Sequence, residues 1–171
     1  MSDKPLSPKP VRESQSELSE LALPNDANGL GNLLGGKLMH LMDIAGSLAA
    51  ARHCRSYVVT ASFDHMNFLA PIQIGQLVLL YSSVNRAFRT SMEVGVKVYV
   101  EDLRTGERKH VSSAYLTFVA LDEQRRPVPV PPVIPETEQE KRRYEEAGRR
   151  RAYRLQLAGK SRLQNGGSDP G

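Results

Sequence analysis

Gly31-Asn32-Leu33-Leu34-Gly35-Gly36, running into Lys37 to Arg52 (KLMHLMDIAGSLAAAR), decides the fold. Leu34, Leu38, Leu41, Ala45, Leu48 and Arg52 recur at three- and four-residue spacing, which is the helical period. The segment lacks proline and is rich in Leu, Met and Ala, all good helix formers. Met39, Met42, Ile44 and Ala49 make its other faces apolar too. A helix apolar nearly all round belongs in an interior. Gly46 and Ser47 cost helix propensity but let another backbone approach closely.

Beyond this helix the period changes to two. Ser56 to Asp64 is rich in Val, Thr and aromatics, as strands are. Gln76 to Arg86 reads as a second strand, and Ala87 to Thr90 as a hairpin connection. Ser91 to Glu101 alternates, with Met92, Val94, Val96, Val98 and Val100 on one side. Glu107 to Leu121 completes the series, and short connections between consecutive strands mean antiparallel pairing. Upstream, Arg12 to Leu23 reads as a half-exposed strand and Pro24 to Gly29 as a turn. The expected fold class is α+β: one antiparallel sheet packed on one long central helix, plus a C-terminal helical tail.

Three segments are expected: a flexible N-terminus over residues 1–11, the domain over 12–125, and a tail over 126–171. The tail opens with a linker of five prolines between Pro127 and Pro135, expected to be extended and incompatible with a strand. Glu136 to Leu157 follows as a charged helix with a solvated face, and the stretch from Asn165 to Ser168 is expected to be disordered.

Composition narrows the function. The chain has 171 residues and a net charge of +4. Residues 1–130 hold 14 Lys/Arg against 13 Asp/Glu, and residues 131–171 hold 9 against 6. The excess charge thus lies in the mixed-charge tail, which argues against nucleic acid as a partner. No apolar run nears the ~20 residues of a membrane span. One cysteine, Cys54, and no visible secretory signal point to the cytoplasm. Gly31-x4-Gly36-Lys37 imitates a phosphate-binding loop, but Leu38 stands where Ser or Thr would hold magnesium. There is no nucleophile elbow, and His40, His53, His65 and His110 show no metal-ligand spacing, so no metal is expected.

Asp43 is the residue that needs a reason. A carboxylate inside the most apolar helix is costly unless it is paired. It reads as a general base, or a nucleophile, at a pocket beside the helix. Gly35-Gly36 at the helix N-terminus would offer free amides and the positive dipole end to a developing oxyanion. Asn28, in the preceding turn, either orients a water or carbonyl or serves the turn itself.

These residues resemble the hotdog-fold acyl-CoA thioesterases of the cytosolic acyl-CoA hydrolase type. The likeness runs from Asp26-Ala27-Asn28-Gly29 through Leu34-Gly35-Gly36 and Met42-Asp43-Ile44-Ala45-Gly46. It continues in Val58-Val59-Thr60 to Asp64-His65-Met66-Asn67-Phe68-Leu69-Ala70-Pro71, Gly75-Gln76-Leu77-Val78, Arg89-Thr90-Ser91-Met92-Glu93-Val94, and the tail from Pro131 to Thr137. It implies a hotdog fold, hydrolysis of acyl-CoA thioesters to fatty acid and coenzyme A, and no cofactor beyond the coenzyme in the substrate. It implies a homo-oligomer, a dimer at least and commonly a trimer of dimers, with sites at the dimer interface. Asp43 of one chain would face Asn28 of its partner, and the Gly36 amide would bind the thioester oxygen. Arg86, Arg89, Thr90 and Ser91 are the candidates for holding the coenzyme. The competing readings are a non-catalytic acyl-CoA-binding or lipid-sensing module on the same fold, and a hydratase, for which no His–Asp pair is placed by motif.

Overall fold

The computed structural model describes residues 6–165, with side chains through residue 159. Two short strands and five long ones surround one helix and carry a second on the outside. In chain order they are β1 (Lys9–Pro10), β2 (Ser16–Leu21), α1 (Gly35–Cys54), β3 (Tyr57–Phe68), β4 (Leu77–Ala87), β5 (Ser91–Glu101), β6 (Arg108–Leu121), β7 (Val133–Ile134) and α2 (Glu138–Asn165). The main sheet runs β2-β4-β5-β6-β3, antiparallel throughout. With α1 in its concave side, this is the hotdog fold.

The core follows from the two periodicities meeting. Met92, Val94, Val96, Val98 and Val100 of β5 all point inward and are buried. Leu38, Leu41, Met42, Ala45 and Ala49 of α1 meet them. Gly46 is small for a reason: a Cβ there would stand 2.9 Å from the Phe118 ring. Beside it the buried Ser82 hydroxyl donates to the Ala45 carbonyl at 2.6 Å, tying β4 to the helix backbone. Arg55 ends α1 in the left-handed conformation at φ 54°, its amide bonded to the Ala51 carbonyl.

The two sheet edges differ. β2 has six residues and exposes Glu17 and Ser19. β3 has twelve and exposes Tyr57, Val59 and Phe68. β3 is longer than the sequence pattern indicated, and it carries two bulges, between Thr60 and Ser62 and between Phe63 and His65. These bulges break the strict alternation that would have marked its second half.

The ends of the chain depart from expectation. The first 11 residues, expected to be flexible, are tied down from residue 9; residues 1–5 lie outside the description. β1 pairs in parallel with β7, the Lys9 amide donates to the Pro132 carbonyl at 2.9 Å, and Val11 is buried. The proline-rich tail therefore does hold a strand, because a two-residue ladder at Val133–Ile134 fits between prolines. Asn165 is helical, and the rest of the end expected to be disordered falls outside the described residues.

Nor is α2 a solvated rod. A reciprocal cap starts it: the Thr137 hydroxyl accepts from the Glu140 amide, and the Glu140 carboxylate accepts from the Thr137 amide. It then lies across the outer face of the sheet. Arg150 clasps the fully buried Glu93 with two hydrogen bonds of 2.7 and 3.0 Å and stacks over Tyr115. Arg154 pairs with Asp64.

His53, at the end of α1, is fully buried. Its Nε2 donates to the Pro131 carbonyl at 2.7 Å, and its Nδ1 finds no partner. Burial is the main cause that pushes its pKa below the ordinary 6.5; Lys9 also lowers it, against the Pro131 bond and Glu13. A depressed pKa makes the neutral ring's contribution present above pH 6.5 and lost as the pH falls through the folded-state value below it. The thermal midpoint should therefore fall more steeply on acidification from pH 7 to 5 in the wild type than in His53→Gln. Equal slopes would exclude the ring as the titrating group. Separately, Glu93→Gln should lower unfolding free energy by about 3–5 kcal/mol in urea titrations, by leaving the Arg150 charge without its buried partner.

Candidate active site

Helix α1 begins without a side-chain cap. Leu34 at the N-cap contributes no side-chain bond, and Leu38 is the first residue whose amide bonds inside the helix, to the Leu34 carbonyl at 3.1 Å. The amides of Gly35, Gly36 and Lys37 are left open. Gly36 is exposed, and a Cβ added there would meet nothing within 4 Å. An uncapped N-terminus with open amides is a ready site for negative charge.

The loop before the helix is held by Asn28. Its Oδ1 accepts from the amides of Leu30 and Asn32, at 2.9 and 3.1 Å, and its backbone amide donates to the Asn32 carbonyl. With Oδ1 occupied, the side-chain nitrogen keeps two donors and no acceptor role. Lys37, next to Gly36, reaches Asp26 at 3.4 Å and Glu20 at 3.9 Å, and so fastens the loop to the first turn of α1. Asn28, Asn32, Leu33, Gly35, Leu38 and Phe68 line part of a cavity of about 450 Å³ at this end of the helix.

Asp43 sits two turns further along, half-buried. The Thr60 hydroxyl of β3 donates to its Oδ1 at 2.5 Å. That bond fixes the carboxylate and leaves Oδ2 as its free base. Thr60 lies in a stretch that carries the resemblance but has no role assigned from the sequence, because nothing in one chain's spacing says which strand residue will meet the helix. Seven residues of helix put Asp43 about 10 Å from Gly36.

The coenzyme candidates divide. The Arg86 guanidinium lies over the Tyr144 ring at 4.2 Å and donates to the Tyr144 carbonyl. Ser91 is buried and accepts from Arg151 at 3.1 Å. Both are committed to α2. Arg89 is exposed at the hairpin tip, with Thr90 beside it.

Other chemistry finds less footing. Burial pushes the Cys54 thiol pKa up, which keeps it protonated at neutral pH. Among the described residues no three His, Cys, Asp or Glu side chains gather closely enough to hold a metal ion. Among them, too, no helix is long and apolar enough to cross a membrane. A larger groove of about 1000 Å³ lies between β2, β4, β5 and the start of α2, and contains neither Asn28, Gly36 nor Asp43.

The profile of the Thioesterase superfamily matches residues 30–107. A hexameric acyl-CoA thioesterase solved in its apo form superimposes with a TM-score of 0.86 and 42% identity, over 90% of this chain and 98% of that one. The acyl-CoA hydrolase of Staphylococcus aureus, solved with butyryl coenzyme A, coenzyme A and coenzyme A disulfide, gives 0.84 and 34%, over 91% and 95%. Variants of that hydrolase with an aspartate, an asparagine or a threonine replaced by alanine have been solved too. The uncharacterized acyl-CoA thioester hydrolase YkhA of Bacillus subtilis is 49% identical over 129 residues, 75% of each chain. The chain belongs to the thioesterase superfamily and, within it, to the hotdog acyl-CoA thioesterases.

The double role of Asn28 is open to a direct check. Asn28→Ala removes the acceptor for two loop amides, so hydrogen exchange at Leu30 and Asn32 should quicken. The Leu38 amide, bonded to the Leu34 carbonyl, should keep its protection.

Proposed function

We propose that the enzyme hydrolyses acyl-CoA thioesters to a fatty acid and free coenzyme A by carboxylate-assisted attack of water, at sites shared between two copies of the chain. The single observation that carries this is the Thr60-to-Asp43 hydrogen bond, which fixes the one carboxylate of α1, with an uncapped helix N-terminus elsewhere in the same chain. The choice of an aspartate, an asparagine and a threonine for replacement in the S. aureus hydrolase supports it.

In this reading Asp43 Oδ2 takes a proton from water as the oxygen attacks the thioester carbon. The carbonyl oxygen becomes an oxyanion at the Gly36 amide of the partner chain, where the helix dipole favours it. The Asn28 side-chain nitrogen donates to the thioester carbonyl and orients it. The tetrahedral centre collapses, the carbon–sulfur bond breaks, and the proton on Asp43 passes to the departing thiolate. Asp43 returns to its starting state. Thioesters are activated, so one base and one oxyanion donor suffice without a covalent triad. Arg89 meets the phosphates of the coenzyme, assisted by Thr90.

The shared site rests on the open surface beside Asp43 and on the hexameric relative. The surface that brings two copies together is the β3 edge and the uncovered side of α1. Tyr57 and Phe68 are more than half exposed there, with Met39, one turn before Asp43 on the helix, 40% exposed. Further assembly into a trimer of dimers is the arrangement we infer from the hexameric relative. The reading places the enzyme in the cytoplasm, where its one cysteine stays reduced.

Free-thiol release from acyl-CoAs of graded chain length should be measured for the wild type and Asp43→Asn. We expect wild-type turnover and a loss of about 10²–10⁴-fold in the variant with its assembly retained. Binding without turnover in the wild type would select the non-catalytic module instead. Thr60→Val should cost about tenfold or more, by removing a hydrogen bond to a charged group. A mixture of inactive Asp43→Asn and Asn28→Ala chains should recover about a quarter of wild-type activity, because random pairing rebuilds one intact site in each mixed dimer. A mixture that stays dead would place both residues in one chain's site.

A further inference from the structure

The outer face of the sheet holds a polar belt that the reaction does not use directly. Asn85 donates to Glu93 at 3.1 Å, and Arg150 clasps Glu93. On β6, Thr117 donates to Asp64 Oδ2 at 3.2 Å, and on β3 Ser62 donates to Asp64 Oδ1 at 2.7 Å. Arg154 of α2 closes the belt by pairing with Asp64 and standing 3.9 Å from Glu93. Four strands and α2 are thereby joined through two carboxylates, Glu93 fully buried and Asp64 with 9% of its side chain exposed.

Asp64 holds a special place in β3. The register steps from Phe63 opposite Leu116 to His65 opposite Tyr115, so Asp64 is an inserted residue with no partner across the ladder. The step before it is also a bulge: Thr60 lies opposite Phe118 and Ser62 opposite Thr117, leaving Ala61 inserted. A bulged edge strand has lost the ladder bonds that would fix its path and re-aims the side chains beside it. Here the side chain of Asp64 supplies what the ladder does not. It holds Ser62, the far side of the first bulge, while Arg154 and Thr117 hold Asp64. Thr60, the residue that fixes Asp43, stands at the near side of the same bulge.

We propose that Arg154 is a positioning residue: through Asp64 it sets the bulged path of β3 and so the aim of the Thr60 hydroxyl at Asp43, which makes α2 a working part of the active site on the opposite face. This rests on Asp43 and Thr60 forming the catalytic pair. Arg154 touches neither substrate nor reacting atoms. Its effect falls on the chemical step and not on substrate binding.

The test is steady-state kinetics on an acyl-CoA that the wild type turns over, with Arg154→Gln made in the wild type and in Thr60→Ala. In the wild type kcat should fall about 10- to 100-fold with KM within about twofold. In the Thr60→Ala background the same change should cost less than about twofold, because the aim it sets no longer has a hydroxyl to direct. Arg154→Lys should recover part of kcat. Exchange of the amides from Ala61 to His65 should quicken in Arg154→Gln while those of β4 and β5 stay protected. Should Arg154→Gln fail to fold, Asp64→Asn must reproduce the fall in kcat. An unchanged kcat, or losses that multiply across the two backgrounds, would each overturn the proposal. Failure of the underlying reading registers separately, as an Asp43→Asn variant that keeps its turnover.

Discussion

A single five-stranded sheet can cover only one side of α1, and this helix is apolar on more than one. Leu38, Leu41, Met42, Ala45 and Ala49 are buried against the sheet, while Met39 and Leu48 stay 40% exposed. The uncovered side also carries Asp43. The chain therefore keeps a mixed surface around one carboxylate, with Met39 and Ile44 beside the exposed His40 and the half-buried Ser47. The concavity of the sheet, the small residue at Gly46 and the hydroxyl of Ser82 all serve to seat the other side of the helix. The helix is held firmly from behind so that its front can be chemically active.

Most of the fold could be read from periodicity, and the parts that could not share a cause. α1 and strands β4, β5 and β6 have strong local patterns, and observed boundaries lie within two residues of the expected ones. The β1–β7 ladder joins residues more than 120 apart through two residues each, and no local pattern marks so short and distant a pairing. The second half of β3 was hidden because two inserted residues shift its alternation. Site residues followed the same rule. Asp43 stood out as a charge in an apolar period. Thr60 did not, because a threonine in a strand is ordinary until the helix opposite is in place. Arg86 and Ser91 look like free hairpin groups in the sequence; their partners Tyr144 and Arg151 lie more than 50 residues away on an element whose docking nothing local announces.

The outer helix shows how a highly charged segment can be structural. Arginines at 86, 150 and 151 lie over the rings of Tyr144, Tyr115 and Phe88. Planar guanidinium groups stack on rings and still bond carboxylates along their edges, which a lysine ammonium does not match. Desolvating Glu93 and Asp64 is costly, and the forked contacts from α2 offset that cost only while the helix is in place. The basic excess of the tail, which in sequence invites a nucleic-acid reading, is thus spent in part inside the molecule.

The unequal edges of the sheet have a consequence for how such molecules crowd together. An edge strand displays unpaired backbone groups that any other strand can use. β3 offers twelve residues with apolar neighbours, whereas β2 offers six and sets carboxylates at Glu17 and Glu20 along its length. The β2 of a second copy arriving there would bring like charge against like. Such a molecule has one adhesive end and one repellent end. Copies can join along their long edges, and the short acidic edges resist doing so.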